Sequence, residues 1–232
     1  MRLLIVSNRM PVVVSKENGE FSMTKSAGGL VSGLSDFLGS LGKDSSNIDD
    51  YVWMGWPGNS IDKEDQEGVR DTVRKEFNAS PVFLSRNLMD KVYLGFCNRT
   101  IWPLFHYFPN YARFDLEFWE EYKRMNEIFR DEVLKELRED DIIWVHDYHL
   151  MLLPALLREK VSNPIGFFLH IPFPSYEMYR MLHKESRTAI LEGLMGADLL
   201  GFHTHDYTQH FLRCVLRILG KENHMGKISM PD

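Results

Sequence analysis

The sequence has little cysteine, no long apolar run and no excess of positive charge, and each shortage excludes a class of protein. Cys97 and Cys214 are the only cysteines in 232 residues and lie far apart. Two separated thiols are too few for a disulfide scaffold and favour a reducing cytoplasm as the location. No stretch approaches the roughly 18 apolar residues of a membrane span. The apolar run after Met1 ends at Ser7, before a signal-peptide core would be complete.

The charge balance argues against a general nucleic-acid binder and against a membrane-surface binder. The chain has 33 acidic and 27 basic residues and a formal net charge of −6, so phosphate-rich surfaces are repelled. A small phosphorylated ligand is still compatible, because nearby basic residues decide that case. The content of 44% hydrophobic and 26% charged residues is ordinary for a globular protein.

Short apolar runs alternate with longer helical patterns along the chain. The apolar runs are continuous, as in strands that are covered on both faces, and span residues 3–7, 51–55, 82–84, 142–147, 165–170 and 198–202. Helical spacing covers residues 29–41, 63–77, 116–138, 150–160, 176–195 and 206–219. This alternation predicts an α/β fold with a doubly wound, mainly parallel, Rossmann-like sheet. We assign residues 1–219 to one domain and residues 220–232, where the apolar pattern is lost, to an exit segment.

Polar side chains follow several of the predicted strands. Arg9, Asp147 and His170 each lie at or just after the end of a predicted strand, and ligands of open parallel sheets bind beyond the carboxyl ends of the strands. Taken singly, an arginine is usually a surface ion pair and a strand-end aspartate often caps a helix. Three such groups at equivalent positions predict one crevice with a guanidinium, a carboxylate and an imidazole.

Paired glycines and several aromatic residues are further candidates for binding groups. Gly28 and Gly29 open a predicted helix, where free N–H groups suit a diphosphate; a plain tight turn is the alternative. The segment is neither a Walker A loop nor a dinucleotide fingerprint. Trp56, Tyr93 and Trp102 could form an apolar platform for a sugar ring, with core packing as the alternative.

Metal and hydrolase chemistry find little support in the sequence. The histidines at 146–149 and 203–210 match no zinc pattern. His146 and Asp147 are adjacent on a predicted strand and therefore point to opposite faces. We expect no metal and no cofactor. A G-x-S-x-G elbow is absent, neither cysteine has a suitable histidine context, and nothing marks a pair of glycosidase carboxylates.

Taken together, these segments resemble the trehalose-6-phosphate synthase family, which are retaining glycosyltransferases of GT-B architecture. The matches run in order from residue 2 to about residue 219, and the two longest are highly specific. They are VSNR (6–9), SAGGL (26–30), GW (55–56), Phe96 with Asn98, WPLFHY (102–107), DDIIWVHDYHL (140–150), GFFLHIPFP (166–174) and DLLGF (198–202).

The resemblance implies transfer of glucose from a nucleotide sugar, usually UDP-glucose, to glucose 6-phosphate, giving trehalose 6-phosphate with retention. This chain would be the N-terminal, acceptor-binding half, and its partner would be a C-terminal donor-binding domain. Nothing after residue 219 resembles that domain, so we expect the chain to be inactive alone. The alternatives are a related glucosyltransferase with another acceptor, such as glycerol 3-phosphate, and a non-catalytic sugar-phosphate-binding module. The oligomeric state is open, with a homo-oligomer among the alternatives.

The resemblance also implies roles for most of the candidate residues. Arg9 would bind the acceptor phosphate with its planar fork. The other assignments are Tyr93, Trp102 and Asp147 to the acceptor sugar, Gly28 and Gly29 to the donor near its diphosphate, and His170 to the donor beside the reacting sugars. Trp56 stays a possible sugar platform, as its residue type and position suggest. His170 and Asp147 would be the catalytic residues, with Asp147 orienting the acceptor rather than forming a covalent bond to glucose.

Overall fold

A six-stranded parallel sheet lies at the centre of the protein. A computed structural model describes residues 1–17, 19–26, 28–40 and 48–229. Its strands are β1 (Arg2–Arg9), β2 (Val12–Glu17), β3 (Glu20–Lys25), β4 (Asp50–Trp56), β5 (Ala79–Pro81), β6 (Ile142–His146), β7 (Ile165–Phe168), β8 (Leu199–Gly201), β9 (Asn223–His224) and β10 (Lys227–Ile228). Antiparallel hairpins are formed by β2 with β3 and by β9 with β10.

Helices cover both faces of the sheet. The α-helices are α1 (Gly29–Ser40), α2 (Gln66–Phe77), α3 (Arg86–Met89), α4 (Trp102–Phe105), α5 (Leu116–Glu136), α6 (Leu153–Arg158), α7 (Tyr176–Tyr179), α8 (Lys184–Leu194) and α9 (His205–Cys214). The stretches Asp90–Ile101 and Val215–Leu219 are π-helices, which have wider turns. Among the described residues, no helix combines the length and the apolar character that crossing a membrane requires.

The strand order locates the expected binding crevice. The sheet order is β5-β4-β1-β6-β7-β8 with all neighbours parallel, which is the doubly wound order of Rossmann folds. The order of strand addition reverses between β1 and β6, so a crevice opens beyond the carboxyl ends of these two strands. The predicted fold class is confirmed.

The core has two parts, one on each face of the sheet. Along β1, Leu3 and Ile5 pack with the hairpin β2–β3, α1 and α2, whereas Leu4 and Val6 pack with the helices of the opposite face. This alternation follows from the two-residue period of a strand. Since β1 is buried on both faces, its apolar run is continuous in the sequence.

Several predicted boundaries were wrong. The third sheet strand is Ala79–Pro81 rather than residues 82–84, and its proline is tolerated because β5 is an edge strand. The helix predicted at 150–160 begins only at Leu153, where a proline occupies the first turn. The helix predicted at 176–195 is divided into α7 and α8, since His183 has an extended backbone.

Some residues covered by the sequence predictions lie outside the described structure, and the last hairpin bears on the predicted domain boundary. Ala27, Leu41 and residues 230–232, to which the sequence predictions also extended, lie outside the described residues. After the second π-helix the chain forms the hairpin β9–β10, and Ile228 packs against the larger part of the core. The domain boundary at residue 219 stays a prediction.

Candidate active site

A bulge at the end of β1 places Arg9 at the mouth of the crevice. Val6 pairs with Met54, but the next pair is Arg9 with Trp56, so β1 has one residue more than β4 between these pairs. Bulges of this kind redirect the side chains that follow them. Gly55 lies beside the bulge: a Cβ there would be 2.5 Å from the backbone N of Met10 and 2.6 Å from the carbonyl carbon of Arg9. The bulge therefore depends on the missing side chain at position 55.

Two aromatic rings flank the side chain of Arg9. Its Cζ lies 5.4 Å from the ring centroid of Trp56 and 5.3 Å from that of Tyr93. In the described part of the chain, no carboxylate pairs with this guanidinium. Stacking fixes the plane of a guanidinium and leaves its N–H donors available. Arg9 is thus held ready to bind an anion such as phosphate.

The π-helix Asp90–Ile101 determines where Tyr93 and Trp102 point. Nine residues are two and a half turns of an α-helix, at 3.6 residues per turn, and would put the two rings on opposite sides. With i→i+5 bonding each turn takes more residues than in an α-helix, so nine residues come closer to whole turns. Both rings contact the same short segment: Tyr93 stacks on His149 with centroids 5.7 Å apart, and the ring centroid of Trp102 lies 5.7 Å from that of Tyr148.

Asp147 combines backbone strain with a desolvated carboxylate. Its φ of 75° and ψ of 167° lie in a region used almost only by glycine, at a cost of about 1–3 kcal/mol. Oδ1 accepts a hydrogen bond from the backbone N–H of His170 at 3.2 Å. Burial raises the pKa of Asp147 to about 6, although hydrogen bonds from the backbone N–H groups of Tyr148 and His170 oppose that rise. Strain and a perturbed pKa together are typical of a functional residue.

His170 is hydrogen-bonded to a second, buried histidine. Nδ1 of His146 lies 3.0 Å from Nε2 of His170, and His203 Nε2 lies 3.3 Å from the carbonyl oxygen of His170. Burial lowers the pKa of His146 to about 3 and that of His170 to about 4, so both rings are neutral near pH 7. Within the described residues, these histidines do not place three ligand atoms around one point.

A cleft of about 170 Å³ lies at the switch point between β1 and β6. Of the predicted site residues, Arg9, Gly28, Tyr93 and Asp147 line it. The others lie around it: Trp56 contacts Arg9, Trp102 contacts Tyr148, His170 is bonded to Asp147, and Gly29 begins α1. Its remaining lining residues are Ser7, Asn8, Ser26, Leu30, Val31 and His149.

Unpaired polar atoms are concentrated around this cleft. Of the eight buried side-chain nitrogen and oxygen atoms that lack a hydrogen-bond partner among the described residues, five belong to Asn8, Trp56, His146 and His149. Buried polar groups are normally paired, so such a concentration indicates a place for a ligand or ordered water. No role for Asn8 or His149 was predicted from the sequence. Their positions close to Arg9 and Asp147 were the only available signal.

A larger groove of about 930 Å³ lies at the β8 edge of the sheet. It is formed by β8, α8, α9 and the hairpin β9–β10. None of the predicted site residues lines it. The smaller cleft is the better candidate, because it lies at the switch point and collects the charged and aromatic groups.

Comparison with known families identifies the group to which the sequence belongs. The profile of glycosyltransferase family 20 matches residues 1–230. The chain belongs to glycosyltransferase family 20. The predicted resemblance is confirmed at the level of the family.

Three similar proteins are two trehalose-phosphate synthases and one trehalose-6-phosphate phosphatase. The chain is 46% identical over 225 residues to the α,α-trehalose-phosphate synthase [UDP-forming] of Emericella nidulans, covering 94% of this chain and 43% of that protein. The corresponding enzyme from Burkholderia xenovorans, solved in complex with glucose-6-phosphate, is 30% identical with a TM-score of 0.74, covering 98% of this chain and 48% of that one. The N-terminal domain of Candida albicans trehalose-6-phosphate phosphatase is 30% identical with a TM-score of 0.77, covering 99% and 46%. The chain thus spans about half the length of these proteins.

Proposed function

We propose that this chain is the N-terminal, acceptor-binding half of an α,α-trehalose-phosphate synthase. Such an enzyme transfers glucose from UDP-glucose to glucose 6-phosphate with retention. One observation supports this most: the cleft at the switch point is lined by the guanidinium of Arg9, which pairs with no carboxylate among the described residues, and by a desolvated carboxylate, Asp147. A sugar phosphate carries the complementary groups, an anion and hydroxyls. The sparse cysteines support a cytoplasmic location.

The geometry supports a separate binding role for each residue on the acceptor side of the cleft. Arg9, oriented by Trp56 and Tyr93, would bind the phosphate through two parallel N–H donors. Asp147 would accept hydrogen bonds from sugar hydroxyls and orient the attacking one. Trp102, exposed beside Tyr148, would cover the sugar ring.

The donor side of the proposal rests on fewer groups of this chain. Gly28 lines the cleft and Gly29 begins α1, whose N-terminal N–H groups suit a diphosphate. His170, neutral near pH 7, would lie beside the reacting sugars as a hydrogen-bonding group. We assign the remaining donor contacts to a C-terminal domain, so the chain alone would bind the acceptor without transferring glucose.

Removal of the Arg9 side chain should weaken phosphate recognition specifically. In the 232-residue chain, Arg9→Ala is expected to weaken glucose 6-phosphate binding by about 1.5–3 kcal/mol, since a hydrogen bond to a charged group is of that size. Binding of unphosphorylated glucose should change much less. Calorimetry with both ligands measures this, and Arg124→Ala, at an exposed arginine outside the cleft, is the control. Equal losses for glucose and its phosphate would show that Arg9 maintains the fold instead.

A second candidate is a non-catalytic sugar-phosphate-binding module. The observation that favours it is the similarity to the N-terminal domain of a trehalose-6-phosphate phosphatase. A glucosyl-transfer assay on the longer protein that contains this chain separates the two candidates. Trehalose 6-phosphate formation supports the synthase, whereas acceptor binding without transfer supports the module. Glycerol 3-phosphate as the competing acceptor in the same assay tests the related glucosyltransferase.

A further inference from the structure

His149 is buried, and neither of its ring nitrogens is hydrogen-bonded to any part of the chain that the structure describes. Its side chain is 7% exposed, and both Nδ1 and Nε2 lack a partner among the described residues. The nearest carboxylate oxygen, Oδ2 of Asp147, is 3.9 Å from Nδ1, beyond hydrogen-bonding distance. A neutral imidazole has one donor and one acceptor, and leaving both unmet in a folded protein is uncommon.

The rings that hold His149 do not supply these partners. The imidazole is stacked on Tyr93 at 9° and lies 4.0 Å from the ring centroid of Tyr148. These contacts fix its plane. His149 also lines the cleft with Arg9 and Asp147. Both nitrogens are shielded from solvent in this structure, so groups entering the cleft become their partners when the neighbouring rings shift.

The charge state of His149 restricts what those partners can be. Burial, together with the nearby Arg9, lowers the pKa of His149 to about 3. The ring is therefore neutral near pH 7 and attracts anions weakly. A hydroxyl group both donates and accepts, so a set of hydroxyls can satisfy one bare nitrogen and one N–H at once.

We propose that His149 is a specificity-determining residue that binds hydroxyl groups of the acceptor sugar. One hydroxyl donates to its bare ring nitrogen and another accepts from its N–H. The cleft then has a phosphate-binding end at Arg9 and a hydroxyl-binding end at Asp147 and His149. This inference rests on the proposed function in so far as the ligand is a sugar phosphate.

The test uses His149→Phe, which keeps a flat ring against Tyr93 and removes both nitrogens. Wild type and variant are titrated with glucose 6-phosphate and with inorganic phosphate. We expect affinity for glucose 6-phosphate to fall about tenfold, the scale of one to two hydrogen bonds, and affinity for phosphate to stay the same. The melting temperature should be unchanged or higher, because the variant no longer buries the two ring nitrogens that lack a partner among the described residues.

Further variants distinguish a ligand-binding role from a structural one. His149→Asn returns a donor and an acceptor and should recover most of the lost affinity. His183→Phe, at an exposed histidine away from the cleft, should change neither affinity. If His149→Phe binds glucose 6-phosphate as tightly as wild type does, the inference is overturned and the proposed function is not. The same holds if affinity for glucose 6-phosphate and for phosphate falls equally and the melting temperature is lower. Failure of the wild-type chain to bind glucose 6-phosphate overturns the proposed function as well.

Discussion

Asp147→Asn is expected to weaken glucose 6-phosphate binding about 100-fold or more while making the folded chain more stable near pH 7.5. The loss of affinity follows from hydrogen bonds between sugar hydroxyls and a charged carboxylate, each contributing about 1.5–3 kcal/mol. The gain in stability follows from burial: the charged form is desolvated in the folded chain and solvated in the unfolded one.

The sign of the pH dependence follows from the direction of the shift. The pKa of Asp147 is raised from 3.8 to about 6 on folding, so the folded state binds the proton more tightly. Above pH 6 the wild type therefore carries a cost of up to about 3 kcal/mol that the Asp147→Asn variant lacks. The cost shrinks as the pH falls from 6 to 4, because the folded wild type takes up the proton first; the unfolded state follows only below its pKa of 3.8.

Urea unfolding of both proteins between pH 4 and 8 measures this difference. The histidines with lowered pKa values affect both proteins alike, so the difference isolates Asp147. Asp71→Asn, at an exposed aspartate on α2, is the matched control and should show no such trend. A wild type that is more stable than Asp147→Asn at pH 7.5 would contradict the desolvated carboxylate. In a protein that joins this chain to the proposed C-terminal domain, a glucose adduct on the peptide containing Asp147 would contradict the proposed orienting role.

Gly55→Ala is expected to destabilise the chain by about 3 kcal/mol or more, at the upper end of overpacking costs. The new Cβ would be 2.5 Å from Met10 N, 2.6 Å from Arg9 C and 2.8 Å from Ser7 O. All three atoms belong to the backbone, so no flexible side chain can move aside. Since the same backbone carries Arg9, phosphate binding should fall together with stability.

Gly68→Ala is the control for this substitution. A Cβ at Gly68, on α2, meets nothing within 4 Å, so alanine should stabilise the chain by about 0.4–1 kcal/mol. Thermal unfolding of both variants compares them directly. Equal stability of Gly55→Ala and Gly68→Ala would show that the β1 bulge does not need glycine beside it.

The sequence predicts the sheet well because β1, β4, β6 and β7 are covered on both faces. Their apolar runs are therefore continuous and easy to recognise. The hairpin β2–β3 was missed although Asn18-Gly19 is a hairpin signal in the sequence. The position of β5 was predicted wrongly because the strand has only three residues, of which the first two are small and the last is a proline.

The candidate site could be predicted only in part. The position of Arg9, Asp147 and His170 after strands is a property of the sequence, and the sheet order then brings them together. The β1 bulge is a difference in pairing register between β1 and β4, and the π-helix that carries Tyr93 packs against α5, which is distant in sequence from β1. Neither feature shows as a local sequence pattern. That the His149 nitrogens lack hydrogen-bond partners among the described residues likewise follows from the folded structure, so no sequence pattern indicates it.

Calorimetric titration of the 232-residue chain with glucose 6-phosphate, inorganic phosphate and UDP-glucose tests the acceptor-binding assignment most directly. We expect saturable, one-site binding of glucose 6-phosphate that is tighter than binding of phosphate or UDP-glucose and is weakened in Arg9→Ala. Binding of UDP-glucose by a chain that does not bind glucose 6-phosphate would contradict the assignment.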